Sequence, residues 1–195
     1  MKVAASEQIA EGSLLKLNLG SGRCRLPGFL SVDNNPNAGS VDVVHDLDLL
    51  PWPFEDNSVG EIMMDHVLEH LEDTLGVIRE LYRICANGAK VHIKTPHFSC
   101  NWTHPGHKRA IGVGLFDHFN PEVEEHYGDC SFDVERVVLH WIRPRYQTTW
   151  LRRAVSGFID ALANLHPRIC QRIWCYWVGG FDEIEFHVWV VKGRR

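Results

Sequence analysis

Three short stretches of the chain carry groups that could grip a small polar ligand. In "LNLGSG", Gly20 and Gly22 follow an apolar run, with Asn18 and Ser21 alongside them. Glycines lack a Cβ, so their backbone N–H groups can approach a ligand closely. In "SVDNN", Asp33 ends a second apolar run beside Asn34. Its carboxylate can accept two hydrogen bonds from vicinal hydroxyls. In "VVHDLDLL", Asp46 can accept from an exocyclic amine while the backbone near Leu47 donates to a ring nitrogen. Asp48 offers a second acid in the same stretch. Glycines under one strand and an acid at the tip of the next suit a nucleotide-like cofactor. A dinucleotide, however, wants a third glycine opening a full helix, and Cys24 stands in that place.

A second set of groups could move protons. "HFSCNWTHPGHK" brings His97, His104 and His107 close in sequence, with His118 and His126 further on. Imidazole is both a metal ligand and a base near neutral pH. Within that stretch no HxxxH or HExxH pattern occurs and only Cys100 adds a thiol, so a general base is expected and a metal is not. His97 is ranked first because it directly follows Thr95-Pro96 at a strand end, then His104, then His107. Asp65 and His66 sit at another strand end, while Glu69 and His70 read as structural.

The elements that must position these groups alternate. "LLKLNLG", "FLSVD", "VDVVHDL", "EIMMDHVL" and "KVHIKTP" read as strands, most of them nearly continuously apolar, as in a parallel sheet covered on both faces. "EDTLGVIRELYRICANG" has helical spacing, with Leu75, Ile78, Leu81 and Tyr82 on one face and Asn87-Gly88 as a stop. The result is an open α/β sheet with right-handed crossovers, whose ligands lie beyond the carboxyl ends of the strands. From His97 to Cys130 the rhythm is lost, which reads as a functional insert. "FDVERVVLHWI" then reads as a strand, "WLRRAVSGFIDALANL" as a helix, and "DEIEFHVWVVK" as an edge or antiparallel strand.

A chain of 195 residues fits one domain spanning 1–195: a cofactor core at 14–97, an acceptor-side insert at 98–130 and a C-terminal part at 131–195. The formal net charge of -5 argues against nucleic acid as the default partner. No apolar run reaches the length of a membrane span, and "MKVAASEQIAEGS" lacks a signal-peptide core. The six scattered cysteines form no C-x-x-C pair and read as reduced thiols, so the expected location is cytoplasmic.

The stretches "LNLGSG", "SVDNN", "VVHDLDLLPWPFEDNSVGEI", "DHVLEHLED" and "ANGAKVHIKTPH" together resemble the class I S-adenosylmethionine-dependent methyltransferases, in particular their small bacterial type 11-like branch. The resemblance covers residues 14–97. It implies a Rossmann-like fold, a mostly parallel sheet with an antiparallel C-terminal strand, and S-adenosyl-L-methionine as the cofactor. It also implies that the glycine loop holds the methionine part, Asp33 the ribose and Asp46-Leu47 the adenine, with the stretch containing Asp65 and His66 closing over them. A cofactor without a pyrophosphate does not need a helix N-terminus, which accounts for the missing helix. Asn18 departs from the acid usual at the start of the loop, and Cys24 from the third glycine.

The implied activity is transfer of a methyl group to a small-molecule or saccharide oxygen with a histidine base. The alternatives are a family member that catalyses another reaction and a non-catalytic partner subunit. Between Arg143 and Trp177 lie six arginines and one acid, Asp160, with several aromatic residues. That segment suits a solvated helix face, a phosphate-bearing acceptor or an anionic membrane surface.

Overall fold

The computed structural model describes residues 13–100, 104–120, 122–123, 126–127 and 129–193. The N-terminal stretch read above for a signal peptide lies, but for Ser13, outside these residues. Seven strands form one sheet in the order β3-β2-β1-β4-β5-β7-β6. They are β1 (Leu15–Leu19), β2 (Leu30–Asp33), β3 (Val43–Val44), β4 (Val59–Asp65), β5 (Cys85–Thr95), β6 (Phe132–His140) and β7 (Glu183–Val190). β1, β2, β3, β4 and β5 pair in parallel, and β7 runs antiparallel to both of its neighbours. This is the mixed α/β sheet of a Rossmann-like single domain, as expected, except that β7 lies between β5 and β6 rather than at an edge.

Register explains which side chains meet. Leu19, Met64, Ile93, Phe186 and Val137 form one row across the sheet, and Leu17, Ile62, Val91 and Val188 form the next. Helix α1 (Thr74–Ile84) covers these rows with Val77, Ile78, Leu81 and Ile84, all buried. Asp73 starts that helix by accepting a hydrogen bond from the Gly76 amide at 2.9 Å. The helix stops at Ile84 rather than at Asn87-Gly88, because Cys85 already pairs with Val59 as β5 begins.

The opposite face departs from the expected apolar cover. Its rows are Lys16-Glu61-Lys90-Trp189, Asn18-Met63-His92-His187 and Asp65-Lys94-Glu185. Ionic and ring contacts hold it: Glu185 lies 3.1 Å from His92, 3.0 Å from Lys94 and 3.0 Å from His140. Among the described residues, the links β1 to β2, β2 to β3 and β3 to β4 contain no helix.

The insert after β5 is more than a lid. Ile111, Val113, Phe116 and Phe119 are buried in the main core, so part of it serves as packing. Two helices follow β6, α2 (Trp150–Ala163) and α3 (Pro167–Trp177); the second was not expected.

Candidate active site

The site lies at the carboxyl ends of β1, β2 and β4, where an open parallel sheet leaves room for a ligand. Two adjoining cavities meet there. One, of about 720 Å³, is bordered by Asn18, Gly20, Ser21, Asp65, His66 and His70. The other, of about 220 Å³, is bordered by Gly20, Asp33, Asn34, Asp46, Leu47 and His66. Gly20, His66 and His70 belong to both. The larger volume lies within the ordinary range for small-molecule sites, about 300–1,000 Å³.

The glycine loop is held by its own neighbours. Asn18 is buried and donates from Nδ2 to the Cys24 carbonyl at 2.9 Å. Gly20 has φ +64°, and a Cβ there would come 2.3 Å from Val67 Cγ2. Gly22 donates its amide to Asp33 Oδ2 at 2.8 Å, so that amide binds the acid and is not aimed at a ligand. Gly22 borders neither cavity, which corrects its expected role as a direct contact. Asp33 Oδ1 accepts from the Asn35 amide at 2.9 Å, and each carboxylate oxygen keeps a further acceptor site.

The neighbouring acids separate by their partners. Asp48 Oδ1 accepts from the Glu72 amide at 2.8 Å and ties two loops together. Asp46, which borders the smaller cavity, accepts from the Asp48 amide with Oδ1 at 3.1 Å. Ser21 Oγ is buried with no hydrogen-bond partner and borders the larger cavity.

These groups fit S-adenosylmethionine. Asp33 offers the acceptor sites that a ribose diol needs, and Asp46 one for an adenine amine. The unpartnered Ser21 hydroxyl belongs to a residue that, like Asn18, borders the cavity where the amino acid end would lie.

The histidines do different work from one another. His66 has a left-handed backbone, φ +57°. Its Nε2 lies 2.7 Å from Glu183 and its Nδ1 3.1 Å from Glu69, so both nitrogens carry protons. Burial opposes the charge, but the hydrogen bonds to Glu183 and Glu69 prevail and raise its pKa to about 9. His66 is thus a cation at neutral pH, clamping β4 to β7.

His97 is the main correction to the expected site. Its side chain has no exposed surface and it borders neither of the two cavities. Its Nδ1 pairs with the Ser99 hydroxyl at 2.7 Å and its Nε2 with Gln171 Oε1 at 3.1 Å. Burial, only partly offset by the Gln171 contact, lowers its pKa to about 4. Strand-end position suggested a base; the packing of the insert and α3 over that strand end makes it a structural pin.

His104 and His107 do border the larger cavity, together with a residue read as structural, His70. The ring centroids of His70 lie 5.6 Å from His104 and 4.9 Å from His107, and those of His104 and His107 are 4.3 Å apart. His70 Nδ1 is 2.9 Å from the Gly106 carbonyl, which only a donor can satisfy, so its Nε2 keeps a lone pair. His104 Nδ1 accepts from the Gly106 amide at 3.2 Å, so its proton sits on Nε2. One imidazole is set to take a proton and its neighbour to give one. The three rings also bring one nitrogen each within 4.8 Å of one another, a spacing that a cation could use.

A family model described as a methyltransferase domain matches residues 28–93, from the end of the glycine loop through most of β5. The fold matches an S-adenosylmethionine-dependent methyltransferase from Mesorhizobium loti at TM-score 0.56 and 14% identity, over 91% of each chain. This is the fold of the class I methyltransferases, and the methyltransferase-domain model matches about a third of the chain. The fold also matches the cyclase SpnF at TM-score 0.56 and 14% identity, over 93% of this chain and 77% of that one. A third match is a putative methyltransferase of Haloferax volcanii solved with the Trm112 activator, at TM-score 0.53 and 15% identity, over 96% of this chain and 86% of that one. No curated protein matches the sequence.

The structure gathers most of the sequence-predicted residues on one rim: Asn18, Gly20, Ser21, Asp65, His66, His104 and His107 around the larger cavity, and Asp33, Asn34, Asp46 and Leu47 around the smaller. His70 was legible only in part. It follows Asp65-His66 closely in sequence, but the partner that sets its tautomer, Gly106, lies 36 positions away.

Proposed function

We propose that the protein transfers the methyl group of S-adenosylmethionine to a hydroxyl of a small-molecule or saccharide acceptor, with His70 as the general base. The observation that carries this reading is the His70 Nδ1 contact to the Gly106 carbonyl, which leaves Nε2 as a proton acceptor on the cavity wall.

S-adenosylmethionine, when bound, supplies an electrophilic methyl group on a sulfonium. Asp33 holds the ribose, Asp46 with Asn34 and Leu47 the adenine, and Asn18, Gly20 and Ser21 the amino acid end. His70 Nε2 would take the proton from the acceptor hydroxyl, leaving its oxygen as the nucleophile for the methyl group that the sulfonium would release. His104 donates from Nε2 and orients the acceptor, with His107 stacked against it. The main demand on the chain is alignment and the exclusion of water, since the donor is already activated. The cation at His66 and the buried carboxylate of Glu69 fix the electrostatics behind His70.

The test is single turnover with methyl-labelled cofactor over a panel of hydroxylated sugars and small alcohols. Label on an acceptor oxygen is the expected result. With that acceptor, His70→Ala lowers kcat by about 10²–10⁴-fold, with cofactor affinity nearly unchanged. His97→Ala instead lowers the melting temperature before it lowers the rate. Cofactor binding without transfer to any acceptor would favour a different reaction, as in the cyclase SpnF, or a non-catalytic partner. An unchanged rate in His70→Ala would remove the base assignment.

A further inference from the structure

Helix α2 turns a broad apolar face to solvent. At about 100° per residue, Trp150, Ala154, Phe158, Leu151, Leu162 and Val155 fall on one arc of about 140°. All six are exposed, with Phe158 65% and Trp150 79% accessible. The face turned to the protein is mixed: Ser156 and Ala163 are buried, Ile159 packs against the core, and Asp160 accepts from the Trp141 amide at 2.7 Å. The apolar stripe of a surface helix ordinarily faces the core. Helix α3 packs Cys170, Trp174 and Cys175 against the core and still leaves Ile169, Ile173, Tyr176 and Trp177 exposed, the last 84% accessible. Its inward side holds Gln171, which accepts from the Val113 amide at 2.8 Å.

Charge identifies the occupant. The segment from Arg143 to Trp177 holds six arginines and one carboxylate in a chain whose formal net charge is -5. Arg152 and Arg172 are exposed on these helices, and they make no ion pair among the described residues, nor does Arg145 just before α2. Exposed apolar faces flanked by arginine, with Trp and Tyr among the apolar groups, match a lipid interface rather than an aqueous one. No helix of the described residues is long and apolar enough to cross a membrane, so these helices would lie on a bilayer, not through it.

We propose that α2 and α3 form a docking surface for an anionic lipid bilayer, with their apolar faces in the interface and their arginines on the headgroups. Arg145 and Tyr146, which lead into α2, also border the larger cavity, so the docked surface adjoins the candidate acceptor site. Vesicle binding needs no methyl transfer, so this inference stands or falls separately from the proposed activity.

The full chain is mixed with vesicles of phosphatidylcholine alone, or of phosphatidylcholine with phosphatidylglycerol, and floated on a density gradient. Binding to the anionic vesicles, weakened by added salt, is expected. Replacing Arg152 or Arg172 by glutamine lowers the partition about fivefold each. Phe158→Ser lowers it about tenfold or more, from the loss of one large apolar side chain. Both faces are exposed, so these variants keep the melting temperature of the parent, which is measured alongside. Failure of the parent chain to float with anionic vesicles overturns the proposal. So does a dimer in sedimentation that Phe158→Ser converts to monomer while leaving vesicle binding unchanged, since the faces would then meet a second copy of this chain.

Discussion

Asp33 works twice in this site. It accepts from the Gly22 amide at 2.8 Å and the Asn35 amide at 2.9 Å, which folds the loop after β1 onto the tip of β2. Its remaining acceptor sites face the smaller cavity, where the proposed ribose lies. Asp33→Ala should therefore lower affinity for S-adenosylmethionine more than tenfold, as about 1.5–3 kcal/mol is typical for hydrogen bonds to a charged group. Calorimetric titration measures it, and an unchanged affinity rejects the assignment. Asp33→Asn separates the two duties: it keeps an acceptor for one amide but loses the charge, so affinity falls while the melting temperature changes less than in Asp33→Ala. Residues of this kind were legible in sequence because their role follows from position at a strand tip. Histidines were not. The same residue type serves as a buried pin at His97, a cation at His66 and a lone-pair donor at His70, and the difference lies in distant partners: Gln171, Glu183 and Gly106.

At the scale of elements, the parallel half of the sheet was legible from its apolar runs, and α1 from its spacing. The second half was harder, because α2 and α3 carry apolar residues on their exposed faces as well as on their inward ones. Polar contacts help to hold α2 to the sheet. β6 is an edge strand, and Asn164, the residue closing α2, stands in for a missing neighbour. Its Oδ1 accepts from the Leu139 amide at 2.7 Å, and its Nδ2 donates to the Leu139 carbonyl at 2.9 Å. Leu139 is fully buried, so removing the amide side chain leaves two backbone groups without partners. Asn164→Ala should cost about 1–3 kcal/mol for each group left unsatisfied. For a chain of this size each kcal/mol lowers Tm by about 2–4 °C. Thermal unfolding that leaves Tm within 1 °C of the parent, an order-of-magnitude bound from the same scaling, would show that α2 is not anchored in this way. Asn164→Asp keeps the acceptor but loses the donor, and should fall between the two.

Across the whole molecule, the polar face of the sheet makes stability depend on pH from both sides. His66 and His140 are both raised from 6.5 to about 9. For His66 burial opposes the charge and the contacts to Glu183 and Glu69 outweigh it; for His140 the contacts to Asp160 and Glu185 lead and burial opposes them. A group bound to its proton more tightly when folded stabilises fully below its unfolded pKa, and that contribution is lost as pH rises through the folded one. Both therefore support the fold below pH 6.5 and weaken it progressively up to about pH 9. His97 acts in the opposite sense. Burial lowers it from 6.5 to about 4, so its neutral form supports the fold above pH 6.5 and that support is lost as pH falls toward 4. Further acid meets Glu183 and Glu185, whose carboxyls sit below their ordinary 4.5 because histidine and lysine partners outweigh the burial of each. The two arms place the maximum near pH 6.5, where each histidine has the protonation state its partners favour. Calorimetric Tm from pH 4 to pH 10 should trace this dome. His140→Gln lowers Tm at pH 6.5 and flattens the alkaline arm, because one of the two protons lost there is gone, while the acid arm keeps its slope. An alkaline arm that is flat in the parent between pH 6.5 and 9, or unaltered in slope by His140→Gln, would mean that the ring of carboxylates around these imidazoles does not hold them charged.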